Sequence, residues 1–117
     1  MTTNWRVIRS EPQKGAMNMA LDEAILESVG KHISPPTLRL YSWDPPCLSL
    51  GYAQPFSDVD ERALEKYQWN VVRRPTGGRA ILHTDELTYA IIAHKDEPVM
   101  EGGILESYKR LSKGLLL

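Results

Sequence analysis

Between Thr37 and Ala93 the apolar residues come in short runs, each cut off by proline, glycine or charged residues. Runs this short suit strands better than helices. TLRLYSW (37–43) alternates, with Leu38 and Leu40 on one face and Arg39, Tyr41 and Trp43 on the other. CLSLGY (47–52) repeats the pattern with Leu48 and Leu50. Asp44-Pro45-Pro46 lies between them, and proline fixes φ and removes a donor, so the two runs are expected to form a hairpin. NVVRR (70–74), AILH (80–83) and LTYAIIA (87–93) predict three further strands, the first two joined by the tight loop PTGGR.

Helical spacing appears elsewhere. Met17, Leu21, Ile25 and Val29 recur every four residues beside Ala20 and Ala24, which predicts a helix over 18–30. Asn18 is the expected N-cap, Asp22 and Glu23 fall in the first turn, and Gly30 closes it. Ser57 and Asp60 resemble a capping box for a second helix burying Val59, Ala63, Leu64 and Tyr67. A last helix starts near Ile104 with Tyr108, Leu111 and Leu115 on its stripe. Trp5 to Ile8 adds a strand at the start. Strands and helices mixed in this way predict an α+β (mixed α/β) fold.

Composition narrows the function classes. The 117 residues suffice for one domain with a modest core. Fourteen basic against 15 acidic side chains argue against a nucleic-acid module held by bulk charge. No apolar run approaches the roughly 18 residues of a membrane span, and the start, MTTNWRVIRSEPQK, has no apolar leader core. A cytoplasmic protein that engages neither nucleic acid nor membrane is expected. Cys47 is the only cysteine, which excludes an intrachain disulfide and a cysteine-based zinc site. It sits in an apolar strand and reads as a buried small hydrophobe rather than a nucleophile. The end at Gly114-Leu115-Leu116-Leu117 reads as a cut helix, so the chain is expected to be the N-terminal part of something longer.

The densest chemistry lies in Arg73-Arg74-Pro75-Thr76-Gly77-Gly78-Arg79-Ala80-Ile81-Leu82-His83. Two glycines permit positive φ and close approach of backbone to a ligand. Successive N–H groups in such a turn form a hollow for phosphate or carbonyl oxygens, and arginines add forked, charge-assisted bonds. A plain Gly-Gly turn with solvated arginines fits the same residues, and the local pattern leaves both readings open. The spacing is that of neither a P-loop nor a dinucleotide fingerprint. His83 could orient a substrate or exchange protons, or could be a surface residue at a strand end. His32 and His94 sit in expected loops and receive no role. Lys109 and Lys113 share a helix face and are expected in solvent.

Four stretches together resemble the biotin/lipoate protein ligase family, in its lipoate-ligase and octanoyltransferase branch. They are Asn18-Met19-Ala20-Leu21-Asp22-Glu23-Ala24; Leu38 to Trp43 running into Pro45-Pro46; Leu48-Ser49-Leu50-Gly51-Tyr52 with Gln54; and Arg73 to His83. The resemblance implies a class II aminoacyl-tRNA synthetase- and biotin ligase-like mixed sheet flanked by helices. Residues 1–117 would be the N-terminal part of one such catalytic domain, incomplete at the C-terminus.

It further implies attachment of an octanoyl or lipoyl chain to a lysine of a lipoyl domain or glycine-cleavage H protein. Octanoyltransferases take the acyl group from acyl carrier protein or H protein and need no cofactor. Ligases make an acyl-adenylate from ATP and Mg²⁺. Arg73, Thr76, Gly77 and Gly78 match the family loop at the acyl carbonyl, followed by Arg79 and Ala80. His83 matches a pocket histidine, while Met19, Leu21, Glu23 and Trp43 match the pocket wall. Met19, Leu21 and Trp43 would serve equally well as ordinary core. Arg79 and the run Glu86-Leu87-Thr88-Tyr89-Ala90 resemble the transferases rather than the ligases. No catalytic residue is carried over, because the family's cysteine and lysine fall beyond Leu117. The chain alone is thus expected to be inactive, and a non-catalytic acyl- or partner-binding subunit completed by a second chain is a third reading.

Overall fold

The computed structural model describes residues 4–114. Its elements are β1 (Arg6–Arg9), α1 (Gly15–Gly30), β2 (Thr37–Tyr41), β3 (Cys47–Leu50), α2 (Glu61–Tyr67), β4 (Asn70–Arg73), β5 (Ile81–His83), β6 (Thr88–Ile92) and α3 (Ile104–Lys113). Single 3-10 turns lie at Phe56–Asp58 and Pro98–Met100. The strands form two mixed three-stranded sheets, ordered β1-β2-β6 and β4-β3-β5. In each, the central strand has one parallel and one antiparallel neighbour.

The expected hairpin of residues 37–43 and 47–52 does not form: β2 and β3 are the centres of different sheets. The Asp44–Pro45 peptide is cis. Two prolines in the link offer no N–H for a ladder, and the backbone on either side bonds elsewhere. Asp44 N–H donates to Gln13 O, whereas Pro46 O accepts from Asn70 N–H. The chain therefore leaves one sheet at Trp43 and enters the next at Cys47.

Helix α1 begins at Gly15, with Lys14 in the cap position and no side-chain cap, so the predicted start and cap at Asn18 are corrected. Asn18 is instead buried inside the helix, donating from Nδ2 to Ser42 O at 2.9 Å and accepting Arg39 Nη2–H at Oδ1 at 2.7 Å. Those tertiary bonds outweigh a capping preference worth about 1 kcal/mol. They also rotate the inward face, which holds Gly15, Asn18, Met19, Asp22, Ile25 and Val29. Met17 is 51% exposed, and Ala20 and Ala24 are exposed as well. The predicted four-residue stripe is correspondingly displaced, because polar residues with partners can bury where apolar periodicity would not place them.

Two apolar clusters hold α1 to the sheets. Met19, Tyr41, Trp43 and Cys47 pack with Val72 and Ala90; Ile25, Val29 and Ile92 pack with Ile8. Helix α2 is capped by Asp60, whose Oδ1 accepts Ala63 N–H at 3.1 Å, while Ser57 lies in the preceding 3-10 turn. Ala63 and Leu64 are half-buried and Tyr67 is exposed, so its inward side is thinner than predicted. Helix α3 turns its predicted stripe outward. Ile104 is 91% exposed and Tyr108 is exposed, whereas Leu111 is half-buried. Leu115 and the terminal leucines lie outside the described residues. No helix among the described residues is long and apolar enough to cross a membrane.

Candidate functional site

A cavity of about 410 Å³ opens between α1 and the two sheets. Its walls are largely apolar: Met19 and Leu26 come from α1, Ile81 from β5, Ala90 and Ile92 from β6, and Trp43 from the link after β2. Polar groups enter from Asp22, Tyr41, Arg74, Thr76, His83 and Thr88. Small-ligand sites typically occupy roughly 300–1,000 Å³ and combine apolar walls with a few convergent polar groups. The cavity has that size and that chemistry.

Of the residues singled out from the sequence, Met19, Trp43, Thr76 and His83 line this cavity. Leu21 is half-buried and Glu23 exposed, and neither is part of its lining. Gly77, Gly78 and Arg79 border a second, shallower hollow with Ala53, Gln54 and Pro55. Arg73 and Ala80 line neither.

His83 closes β5, where the ladder with Cys47 holds its backbone. It is buried and stacks on Trp43, with ring centroids 4.0 Å apart and planes inclined by 11°. This position excludes the surface strand-end reading. Nε2 lies 2.7 Å from Ser49 Oγ, and Nδ1 is bonded to Glu86 Oε1. Both ring nitrogens are thus engaged within the protein.

The 73–79 loop is built from inside by Arg73 and Arg74. Arg74 Nη1 donates to Ser49 O and Ser49 Oγ, both at 2.8 Å, and Nη2 donates to Gly77 O at 3.0 Å and Arg79 O at 2.9 Å. Arg73 Nη1 donates to Gly51 O at 2.9 Å and Tyr52 O at 3.2 Å. The guanidinium groups satisfy carbonyls of the chain, leaving the turn's backbone and Thr76 toward the openings. Gly78 has φ +97°, the left-handed region that favours glycine. Gly51 is pressed against it, so that a Cβ there would lie 1.9 Å from Gly78 O.

Beneath the cavity is a polar cluster that sequence reasoning missed. Arg39, wholly buried, donates to Asp22 Oδ1 at 2.8 Å and to Asn18 O at 3.0 Å, in addition to Asn18 Oδ1. Tyr41 OH donates to Asp22 Oδ2 at 2.9 Å, and the Arg39 guanidinium lies 3.9 Å from the Tyr41 ring centre. Burial, reinforced by the Asp22 carboxylate, pushes the Tyr41 phenol up. The available signal was Asn18 and Asp22 one turn apart on a helix, with Arg39 and Tyr41 on one face of a strand.

Cys47 is buried in β3, and burial pushes its thiol up from 9.0 to about 11, which disfavours the nucleophilic thiolate. His32 and His94 stack with ring centroids 4.0 Å apart beyond the end of α1, and Asp96 Oδ2 lies 3.1 Å from His94 Nδ1.

Comparison with known proteins matches this arrangement. The family model of the lipoyl protein ligase A/B catalytic domain covers residues 14–116. The octanoyltransferase LipM of Kyrpidia tusciae is 46% identical over 113 residues, 96% of this chain and 41% of that protein. That of Carboxydothermus hydrogenoformans is 50% identical over 114 residues, 97% of this chain and 42% of its own. The chain therefore spans about two fifths of the curated relatives it matches. Among solved structures, lipoate-protein ligase A bound with ATP superposes with a TM-score of 0.68 at 31% identity, covering 75% of this chain and 36% of that one. A bi-partite lipoate protein ligase from Thermoplasma acidophilum, described with its E2 lipoyl domain, gives 0.66 at 30% identity, covering 77% and 36%. The mixed sheets flanked by α1 and α2 are those of the lipoate protein ligases, and the chain belongs to the lipoyl protein ligase A/B catalytic-domain family.

Proposed function

We propose that residues 1–117 form the N-terminal part of a catalytic domain that transfers an octanoyl group to a lysine of a lipoyl-domain or H protein. The observation carrying this reading is the cavity, whose apolar walls and polar rim suit a medium-length acyl chain with a carbonyl head. The acyl tail would lie against Met19, Ala90 and Ile92, across the face formed by Trp43 and His83. Its carbonyl would meet the turn at Thr76, while Gly77 and Gly78 border the neighbouring hollow. Arg73 and Arg74 act indirectly in this reading, by holding the turn in shape. Octanoyl–acyl carrier protein or octanoyl–H protein is the donor.

Transfer would proceed in two balanced steps. A cysteine thiolate attacks the donor's acyl carbonyl and forms a thioester, expelling the carrier thiolate from octanoyl–acyl carrier protein or, from octanoyl–H protein, the lysine amine, which takes up a proton as its amide bond breaks; the acceptor lysine amine then attacks the new thioester and releases the cysteine thiol. Cys47 does not suit the first step, since it is buried and its thiol is held protonated. The nucleophile belongs in this reading to the part of the domain that the relatives possess beyond the matched two fifths.

An ATP-dependent ligase is the second reading, favoured by the ATP named with one structural neighbour. The hollow at Gly77 and Gly78 offers backbone donors to a phosphate, but Arg79 occupies its rim. The test supplies the full-length protein with octanoyl–acyl carrier protein and a lipoyl domain, without nucleotide, and weighs the acceptor. Acceptor mass increased by one octanoyl group is expected. Modification only with ATP and a free fatty acid would replace this reading with the ligase.

A further inference from the structure

The stacked pair Trp43–His83 is tethered by a single side chain outside the stretches that define the site. Glu86 Oε1 is bonded to His83 Nδ1 and also accepts Thr88 Oγ1–H at 3.0 Å. Thr88 Oγ1 in turn accepts the Trp43 indole Nε1–H at 2.8 Å. One carboxylate oxygen thus anchors both rings, one directly and one through a hydroxyl.

The opposite edge of His83 meets Ser49. Arg74 can only donate, so it takes a lone pair of Ser49 Oγ. The Ser49 hydroxyl keeps its proton and a second lone pair, so it can donate to His83 Nε2 or accept from it, as the protonation of the ring requires. A carboxylate can only accept, so Nδ1 carries the ring proton and donates it to Glu86. Glu86 therefore sets the proton on Nδ1, and Ser49 can donate to Nε2 of the neutral ring that results.

We propose that Glu86 is a positioning residue for the acyl cavity, fixing His83 in the Nδ1–H form and locking Trp43 against it as one rigid wall. This rests on the acyl-chain reading of the cavity. His83 then shuttles no proton: it offers the substrate an aromatic surface whose nitrogens are already paired. Through Ser49 and Arg74 the same chain of bonds continues to Gly77 O and Arg79 O, so the wall and the carbonyl-binding turn are held in one register. Thr88 is half-buried, and the Glu86 side chain is 36% exposed, so substitution at Glu86 opens no large core void.

The test uses the full-length protein labelled with ¹⁵N-histidine, and its ring correlation spectra report the His83 tautomer without any substrate. Glu86→Ala is expected to shift His83 out of the pure Nδ1–H form and to weaken binding of sodium octanoate, measured by calorimetry, about tenfold. Glu86→Gln keeps an accepting oxygen and should restore both readouts to near the parent. Thr88→Val cuts only the Trp43 branch: octanoate affinity should fall roughly threefold with the His83 tautomer unchanged. An unaltered tautomer in Glu86→Ala would overturn the proposal. So would Glu86→Gln behaving like the alanine variant, or Thr88→Val binding like the parent. If the parent binds no octanoate, the acyl reading of the cavity fails, while the tautomer measurement still judges the role of Glu86.

Discussion

Replacing Asp22 by alanine exposes how much the buried polar cluster contributes. Its two carboxylate oxygens accept from Arg39 Nη1 at 2.8 Å and from Tyr41 OH at 2.9 Å. The Arg39 side chain is 0% exposed and that of Asp22 is 11% exposed, so solvent barely screens the pair. Without Asp22 the guanidinium keeps its bonds to Asn18 but loses its counter-charge, a change that typically costs about 3–5 kcal/mol. The Tyr41 hydroxyl also loses its acceptor, for which the usual penalty is about 1–3 kcal/mol. Asp22 borders the cavity, so water can enter and reduce that second penalty. A net loss of about 4 kcal/mol is expected, a large share of the roughly 5–15 kcal/mol that stabilises an ordinary domain. Urea unfolding of the full-length parent, Asp22→Ala, Arg39→Met and the double variant measures it. The double variant removes both charges and should be more stable than Asp22→Ala by about 2 kcal/mol. A cost below about 1 kcal/mol for Asp22→Ala, or simple additivity in the double variant, would refute the reasoning.

Gly51→Ala should destabilise the protein by at least about 2 kcal/mol, because its Cβ would meet Gly78 O at 1.9 Å; Gly77→Ala, with nothing within 4 Å, should be far milder in the same unfolding assay. The Cys47 thiol, raised from 9.0 to about 11, stays protonated in the fold after the unfolded chain has begun to ionise. Its contribution to stability is therefore complete below pH 9 and lost between about pH 9 and 11, and Cys47→Ala should flatten that part of the curve. On the proposed transferase reading, Arg74→Lys in the full-length protein should lower octanoyl transfer at least tenfold, since one ammonium cannot span Ser49 and the carbonyls of Gly77 and Arg79. Recovery of parent activity in that variant would show that the fork is dispensable.

Most elements were legible as local patterns. Strands β4, β5 and β6 lie within the runs predicted for them, since short β-rich runs bounded by glycine or acidic residues have few alternatives. What local pattern could not supply was pairing. The run at 37–43 carries the same alternation whether its neighbour is β3 or β6, and the choice depends on bonds made by Gln13 and Asn70, which are distant in sequence. The face of α1 was misjudged for a related reason: Asn18 and Asp22 read as polar, and only the buried Arg39 reaching them from β2 makes their burial favourable. At the site, the Gly-Gly loop and His83 stood out by residue type. Arg74, Ser49 and Glu86 did not, because their importance lies in which atoms they hold.

The cavity lies where the two sheets meet, touched by β6 from one and β5 from the other. Among the described residues the sheets share no ladder, so their junction is set by side chains and by α1 laid across both. A molecule seated there becomes part of that junction, a mortar between two halves. Occupancy and folding are then linked by mass action: at a hundred times its dissociation constant, the acyl chain proposed as ligand would add about 2.7 kcal/mol to stability. The loaded protein is thereby also the better-folded one, and amide exchange along β5 and β6 should slow together as the cavity fills.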